Sequence, residues 1–198
     1  PDVRLLVVTG GPGVVGAAMQ SGKKVIAAGP GNPPVVVDET ADIAKAGRDI
    51  VAGASLDNNI VCIAEKEIVA VRSVVGELKT ALAEAGALEV KGRAAERLSE
   101  VIVTENLGSG RASKIRRELI GKDAAVIMKE AGLDCPQGTR LVFFEAEASH
   151  PLVWTEQMMP VLPLVSVGSA DEAIDLAVSV EGGCGHTAVM HSRNIERL

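Results

Sequence analysis

Continuous apolar runs, more than strict alternation, mark the extended segments of this chain. Val3–Thr9 is one such run, broken by Gly10-Gly11-Pro12-Gly13, and reads as a buried strand. Lys24–Ala28 is a second, closed by the turn Gly29-Pro30-Gly31-Asn32-Pro33-Pro34, and Val35–Asp38 is a short extended piece. Glu67–Arg72 alternates and reads as a strand. Arg140–Ala146, Leu162–Val167 and Thr187–His191 complete the set, with Pro163 placing its strand near a sheet edge or at a strand start.

Helical spacing fills the intervals. Ala41–Ala54 carries Ile43, Ala46, Ile50, Val51 and Ala54 on one face and is expected to be capped by Thr40. Val14–Gln20, Val74–Ala85 before Gly86, Arg93–Val101 and Ala124–Glu130 before Gly132 are further helices. Ile115–Leu119 reads as a short helical piece between loops, and Ser55–Val61 as a polar loop. Ser169-Ala170-Asp171-Glu172 is a capping box opening a helix over Ala170–Val180, and Asn194–Leu198 reads as the start of another. Strand and helix alternate throughout, which predicts an α/β fold with a mostly parallel sheet flanked by helices. The first strand lacks a preceding helix and the last helix a returning strand, so both ends are expected to be truncated, with Pro1 a processing boundary.

Composition narrows the function classes. The 198 residues carry a net charge of -6, which argues against nucleic acid as the main partner. Aromatics are 2%, with no Tyr, so aliphatic side chains must fill the core and stacking on bases is disfavoured. No apolar run reaches the ~18–20 residues that a bilayer span needs, and no secretory signal is visible. Three widely spaced Cys form no disulfide framework, which makes a reducing cytoplasm the default location.

Three clusters carry candidate chemistry. Gly11-x-Gly13-x-x-Gly16 lies between a strand and a helix, with Asp38 beyond a Val run. This matches a dinucleotide fingerprint on paper, but Pro12 removes an amide donor and the strand after the loop ends well before Asp38, so an ordinary strand–helix turn is the competing reading. Cys62 follows a helix and a polar loop, where substrate can reach a thiol; the alternative is a cysteine that only packs. Cys184-Gly185-His186 supplies too few ligands for a metal. His186 and His191 fall on opposite sides of a strand, and His186 is the better proton shuttle, against a purely structural histidine. Cys135 lies in a connector and looks incidental. Glu145 and Glu147 read as a solvated strand face. Glu156 is a lone acid in an apolar stretch and needs a partner, a ligand or water.

Taken together, these pieces resemble the aldehyde dehydrogenase superfamily, in particular the CoA-acylating acetaldehyde and propionaldehyde dehydrogenases of ethanolamine and propanediol breakdown. The resemblance spans nearly the whole chain. It is carried by Val8-Thr9-Gly10-Gly11-Pro12-Gly13-Val14-Val15, Ala27-Ala28-Gly29-Pro30-Gly31-Asn32-Pro33-Pro34-Val35-Val36-Val37-Asp38, Asp57-Asn58-Asn59-Ile60-Val61-Cys62-Ile63-Ala64-Glu65-Lys66-Glu67, Glu156-Gln157-Met158-Met159-Pro160-Val161 and His186-Thr187-Ala188, in the family's order. By this likeness Cys62 is the nucleophile and His186 a base or shuttle. Thr9, Gly10 and Gly11 flank the nicotinamide end of NAD, which replaces the fingerprint reading, and Glu156 holds the nicotinamide ribose. Hydrolytic relatives carry a Glu where Ala28 stands. Ala28 cannot activate water, which favours a thiol acceptor, coenzyme A. Met158 stands where many relatives have Phe. The resemblance further implies residues 1–28 as the C-terminal end of the NAD-binding domain and 29–198 as the catalytic domain, C-terminally truncated. It implies a small aldehyde and CoA as substrates, the remainder of the NAD-binding domain as a partner, a homo-oligomeric full-length enzyme and a cytoplasmic location or a bacterial microcompartment lumen. The chain alone is expected to fold without dehydrogenase turnover.

Three rivals remain at this level: a non-catalytic nucleotide-binding module using Gly11–Gly16 and Asp38, a phosphate-dependent acyl reductase of the same superfamily, and a scaffold domain, which the absence of a visible exposed apolar stripe disfavours. Thiol labelling separates the first from the enzyme. Iodoacetamide should alkylate Cys62 much faster than Cys135 or Cys184, as read by peptide mass, whereas equal rates at all three favour the binding module.

Overall fold

The computed structural model describes residues 2–198; residue 1, the expected processing boundary, lies outside them. Six parallel strands form the main sheet in the order β10-β3-β4-β9-β8-β5, where β3 is Pro34–Val37, β4 Glu67–Val71, β5 Ala87–Glu89, β8 Leu141–Glu145, β9 Val161–Val167 and β10 Val189–His191. The helices that cover it are α2 (Ile43–Ala54), α3 (Val75–Glu84), α4 (Arg93–Ile102), α5 (Ala124–Glu130) and α6 (Ala170–Val180). The expected α/β architecture is therefore present, and alternate residues of each strand separate two cores. Val35, Val37, Ile68, Ala70, Leu141, Phe143, Leu162 and Leu164 pack under α2 and α3. Val36 and Val69 meet Ala173 and Ala177 of α6, while Val142, Phe144 and Val161 pack with α4 and α5. Burial on both faces explains why these strands are written as unbroken aliphatic runs. The strand expected over Glu67–Arg72 is present as β4, and although its sequence alternates, all five of its residues are buried.

Several boundaries differ from expectation for identifiable reasons. Asp42, not Thr40, caps α2, accepting from Lys45 N at 3.0 Å. The Thr40 backbone N–H and hydroxyl are instead both committed to Asp38, at 2.8 and 2.7 Å. Lys114–Ile115 is not helical but forms the strand β7, paired antiparallel with β6 (Val103–Glu105), and a 3-10 turn follows at Arg117–Leu119. The final segment makes a turn rather than a helix, with Arg197 drawn to Glu39 and Asp171. Ser169 caps α6 as expected, its Oγ accepting from Glu172 N at 3.2 Å, but the returning Glu172 carboxylate accepts from Gly168 N at 2.8 Å, one residue before the cap of the expected box.

Pro163 lies in a central strand, not at an edge, and of its two expected placements it takes the strand start, just before the pairing with β4 begins. The β4–β9 register begins at Ile68↔Leu164, so the residue at 163 would use its N–H to bond the Lys66 carbonyl, and proline has none. Gln157, fully buried, replaces that donor: its Nε2 bonds Lys66 O at 2.8 Å and Val161 O at 2.7 Å.

Residues Leu5–Thr9 (β1) and Lys24–Ala28 (β2) form a separate two-stranded parallel sheet, crossed over by α1 (Pro12–Met19). Its aliphatic side chains lie open, with Val7 71% and Ile26 57% exposed and Val3, Leu5, Val14 and Met19 beside them. The expectation of no exposed apolar stripe therefore fails here: a two-stranded sheet with one helix has too little surface to bury such a run.

Gln157→Ala should destabilise the fold by about 2–4 kcal/mol in urea unfolding, because two buried carbonyls lose their donor at the start of the central strands.

Candidate active site

Because β10, β3, β4 and β9 are adjacent and parallel, the segments entering them reach one edge of the sheet. Those segments carry His186 before β10, Gly31 and Asn32 before β3, Cys62–Lys66 before β4, and Glu156–Gln157 before β9.

The Cys62 segment is built on a left-handed turn. Asp57, Asn58 and Asn59 have φ of 47°, 53° and 64°, a conformation that Asn and Asp tolerate best among residues with a side chain. Asn58 Nδ2 donates to Gly121 O at 3.1 Å and Asp123 Oδ1 at 2.8 Å. Gly121 in turn donates its N–H to Met158 O at 3.0 Å, which ties this turn to the Glu156 segment. Asn59 Nδ2 bonds Ala54 O and Glu65 O at 2.8 and 2.9 Å. Lys66, with no exposed surface, reaches back to donate to Asn59 O at 2.9 Å, Asn59 Oδ1 at 2.5 Å and Val61 O at 3.0 Å. Burial brings its pKa down to about 8 against the opposing charges of Glu156, Cys62, Glu67 and Glu65. Cys62 follows directly as a half-buried free thiol.

Glu156 and His186 meet at Gly31. The Gly31 N–H donates to Glu156 Oε1 at 3.3 Å. A Cβ on Gly31 would stand 2.8 Å from His186 Cγ, so only glycine lets the imidazole lean there. The His186 backbone N–H bonds Glu181 Oε1 at 2.9 Å, and its Nδ1 lies 2.8 Å from Thr187 Oγ1. Burial raises the Glu156 carboxyl, opposed by the Gly31 N–H, Lys66 and His186. Asn32 anchors this turn through Nδ2 bonds to Val153 O and Val180 O at 3.1 and 3.0 Å. Glu156 opens onto a cleft of about 660 Å³ lined with Pro30, Thr104, Ser113, Arg117 and Met158; His186 opens onto a neighbouring groove of about 500 Å³ beside α6.

Thr9, Gly10 and Gly11 stand at the end of β1, where Thr9 pairs with Ala28 and Gly10 N donates to Ala28 O at 3.2 Å. Only Gly29 and Pro30 separate Ala28 from Gly31, roughly 10 Å of chain, so the small sheet ends close to the site. Asp38, the acid of the dinucleotide fingerprint, is fully buried; burial raises its carboxyl, but hydrogen bonds from Ser192 and Thr40 outweigh this and hold it below the usual range. It closes the end of β3 and is not open to a ribose. His191 is held away from the edge within β10, where burial lowers its pKa, and Glu145 pairs with Lys79. Lys66, Asn59, Asn32 and Gly31 were not singled out from the sequence. The Asp-Asn-Asn run read only as a polar loop, and Lys66 sits among charged neighbours and reads as surface until the sheet buries it.

The aldehyde dehydrogenase family matches residues 1–198. The chain belongs to that family. It is 49% identical over 199 residues to the acetylating acetaldehyde dehydrogenase EutE of Salmonella typhimurium, covering 100% of this chain and 42% of that relative's length. Among solved structures, the Rhodopseudomonas palustris propionaldehyde dehydrogenase with bound CoA and an acylated cysteine superposes with a TM-score of 0.91 at 44% identity, covering 100% of this chain and 44% of that one. A propionaldehyde dehydrogenase from the Clostridium phytofermentans fucose utilisation microcompartment gives 0.90 at 44% identity, over 99% of this chain and 44% of that one. This aldehyde dehydrogenase chain thus spans less than half the length of these relatives. Among its described residues, no helix is long and apolar enough to cross a membrane.

The first residue of β4 offers a pH test of the site's electrostatics. Burial pushes the Glu67 carboxyl well above 4.5, against Lys66 and the Asn32 amide. A carboxyl with a raised folded pKa favours the fold at low pH and loses that contribution as pH rises from its unfolded value through the folded one. Glu67→Gln should therefore match the parent protein in urea unfolding at pH 4 and become progressively more stable relative to it towards pH 8.5; parallel pH curves would contradict the assignment.

Proposed function

We propose that this chain is the catalytic part of a CoA-acylating aldehyde dehydrogenase, which converts a short-chain aldehyde such as acetaldehyde or propionaldehyde, with NAD and CoA, into acyl-CoA and NADH. The observation that carries the reading is that the segments bearing Cys62, Glu156 and His186 enter neighbouring parallel strands at one end of the sheet, with Glu156 and His186 meeting at Gly31. In this reading residues 1–28 end a nicotinamide-binding domain, the open aliphatic faces of β1 and β2 pack against its remainder, and residues 29–198 form the acyl-transfer domain. The microcompartment relative supports a similar lumen for the parent enzyme, alongside the cytoplasm.

The residues fit such a cofactor. Glu156 keeps a carboxylate oxygen without a hydrogen-bond partner among the described residues, beside a cleft, which suits the paired hydroxyls of a ribose, and Thr9–Gly11 offers a glycine turn at a strand end. The nicotinamide supplies the two-electron acceptor for hydride. The protein's part begins when the Cys62 thiolate forms a C–S bond to the aldehyde carbonyl and the carbonyl electrons move to oxygen. The Cys62 backbone N–H faces that developing oxyanion. As hydride departs, C=O reforms and leaves a thioester on Cys62. CoA thiolate then adds to the thioester, and Cys62 leaves as thiolate. His186 moves the CoA thiol proton. Ala28 carries no base for water, which keeps the thioester for the thiol acceptor.

Intact-mass analysis of the full-length protein incubated with propionyl-CoA should show one propionyl adduct, on the peptide containing Cys62. Cys62→Ser should abolish the adduct and lower aldehyde-dependent NADH formation by at least about a thousandfold. An adduct confined to Cys135 or Cys184 would overturn the assignment.

A further inference from the structure

Lys66 is the least expected group near the nucleophile. Its ammonium is fully buried, and among the described residues it forms no ion pair with a carboxylate. An ammonium has three N–H donors, and three oxygens receive them: Asn59 O, Asn59 Oδ1 and Val61 O. A methionine would occupy this volume without desolvating a charge, so the cation is retained against the preference of the core.

The third acceptor matters most. Val61 C=O and Cys62 N–H belong to one planar trans peptide unit, so a donor fixed on the carbonyl also fixes the direction of the N–H on the opposite side. The Ala64 N–H also donates to this oxygen at 3.1 Å, so what the lysine adds to a carbonyl already held is a charged donor, which polarises the unit and strengthens that N–H as a donor. We propose that Lys66 is a positioning residue for the acyl-transfer reaction, orienting and polarising the Val61–Cys62 peptide so that the Cys62 N–H receives the oxyanion. The proposal rests on Cys62 being the nucleophile and adds the group that prepares its backbone. Asn59 completes the device: its left-handed turn places both its own oxygens on the same ammonium, while its Nδ2 ties that turn to Ala54 and Glu65.

Two reactions of Cys62 separate this role from a general structural one. Alkylation by iodoacetamide needs the thiolate but forms no oxyanion, whereas acylation by propionyl-CoA needs both. In the full-length protein, Lys66→Met should slow Cys62 acylation about ten- to a hundredfold while changing alkylation less than about threefold. Acylation unchanged, or both rates falling together, overturns the proposal. The native protein gives a second measurement that does not depend on a variant folding. The groups facing Lys66 are Glu156, Cys62, Glu67 and Glu65, and against their charges it loses its proton at about pH 8, leaving two donors for three oxygens. The ratio of acylation to alkylation cancels the ionisation of Cys62 itself. It should fall several-fold between pH 7 and 9.5, and a constant ratio overturns the role of Lys66. If native Cys62 takes up no acyl group at any pH while iodoacetamide still labels it, the nucleophile reading fails, and the proposal with it.

Discussion

The parallel alignment of four neighbouring strands is the constraint on which the rest of this structure depends. Antiparallel neighbours would send alternate entry segments to opposite ends of the sheet. Here β10, β3, β4 and β9 run together, so one edge collects a histidine, a glycine turn, a cysteine loop and an acid from positions spread over 155 residues, from Gly31 to His186. The site lies where strands begin, and the chain has to solve a problem particular to that place. The first residues of a strand carry backbone groups whose ladder partners have not yet started, and the flanking layers still exclude water.

Buried polar side chains answer that problem. Gln157 supplies the donor that Pro163 lacks, Asn32 bonds two carbonyls from distant elements, Asn59 closes the turn before Cys62, and Lys66 gathers three oxygens. Each buried polar group of this kind is costly alone and stabilising when satisfied. They form a second layer beneath the site, and their geometry fixes the reactive groups more rigidly than a loop held by apolar contacts would. Asn32 Oδ1 and Gln157 Oε1 stay buried without a hydrogen-bond partner among the described residues, and Glu67 is the charged exception. Its carboxyl is buried at the start of β4 and pushed towards the neutral form, so this edge carries electrostatic strain as well as hydrogen bonds. Natural sites accept such tension where the aliphatic core on both sides supplies the stability, as α2, α3 and α6 do here.

Much of the architecture was legible from residue order. The aliphatic runs of β3, β4, β8 and β9, the face of α2 and the capping box of α6 are local patterns with local causes. Differences arose where a side-chain partner outside the local pattern decided the outcome. Thr40 has the chemistry of a helix cap, but Asp38 and Ser192 engage it first. Pro163 has the chemistry of an edge or a strand start, and it takes the strand start of a central strand because a glutamine six residues earlier replaces its missing donor. The end of the chain has helical spacing, but Arg197 is drawn to acids on the α2 approach and on α6.

For the site, sequence alone picked out Cys62, Glu156, His186 and the Thr9–Gly11 turn, because motif residues in a fixed order carry their own signal, and it determined the alternation of strand and helix, because burial periodicity is local. Only the tertiary structure decided that Lys66 is buried and faces the Val61–Cys62 peptide, that Gly31 must lack a Cβ, and that Asp38 closes a strand. Those outcomes depend on which segments the sheet brings side by side, and the desolvation that gives a buried lysine or carboxyl its character exists only after the layers have closed over it.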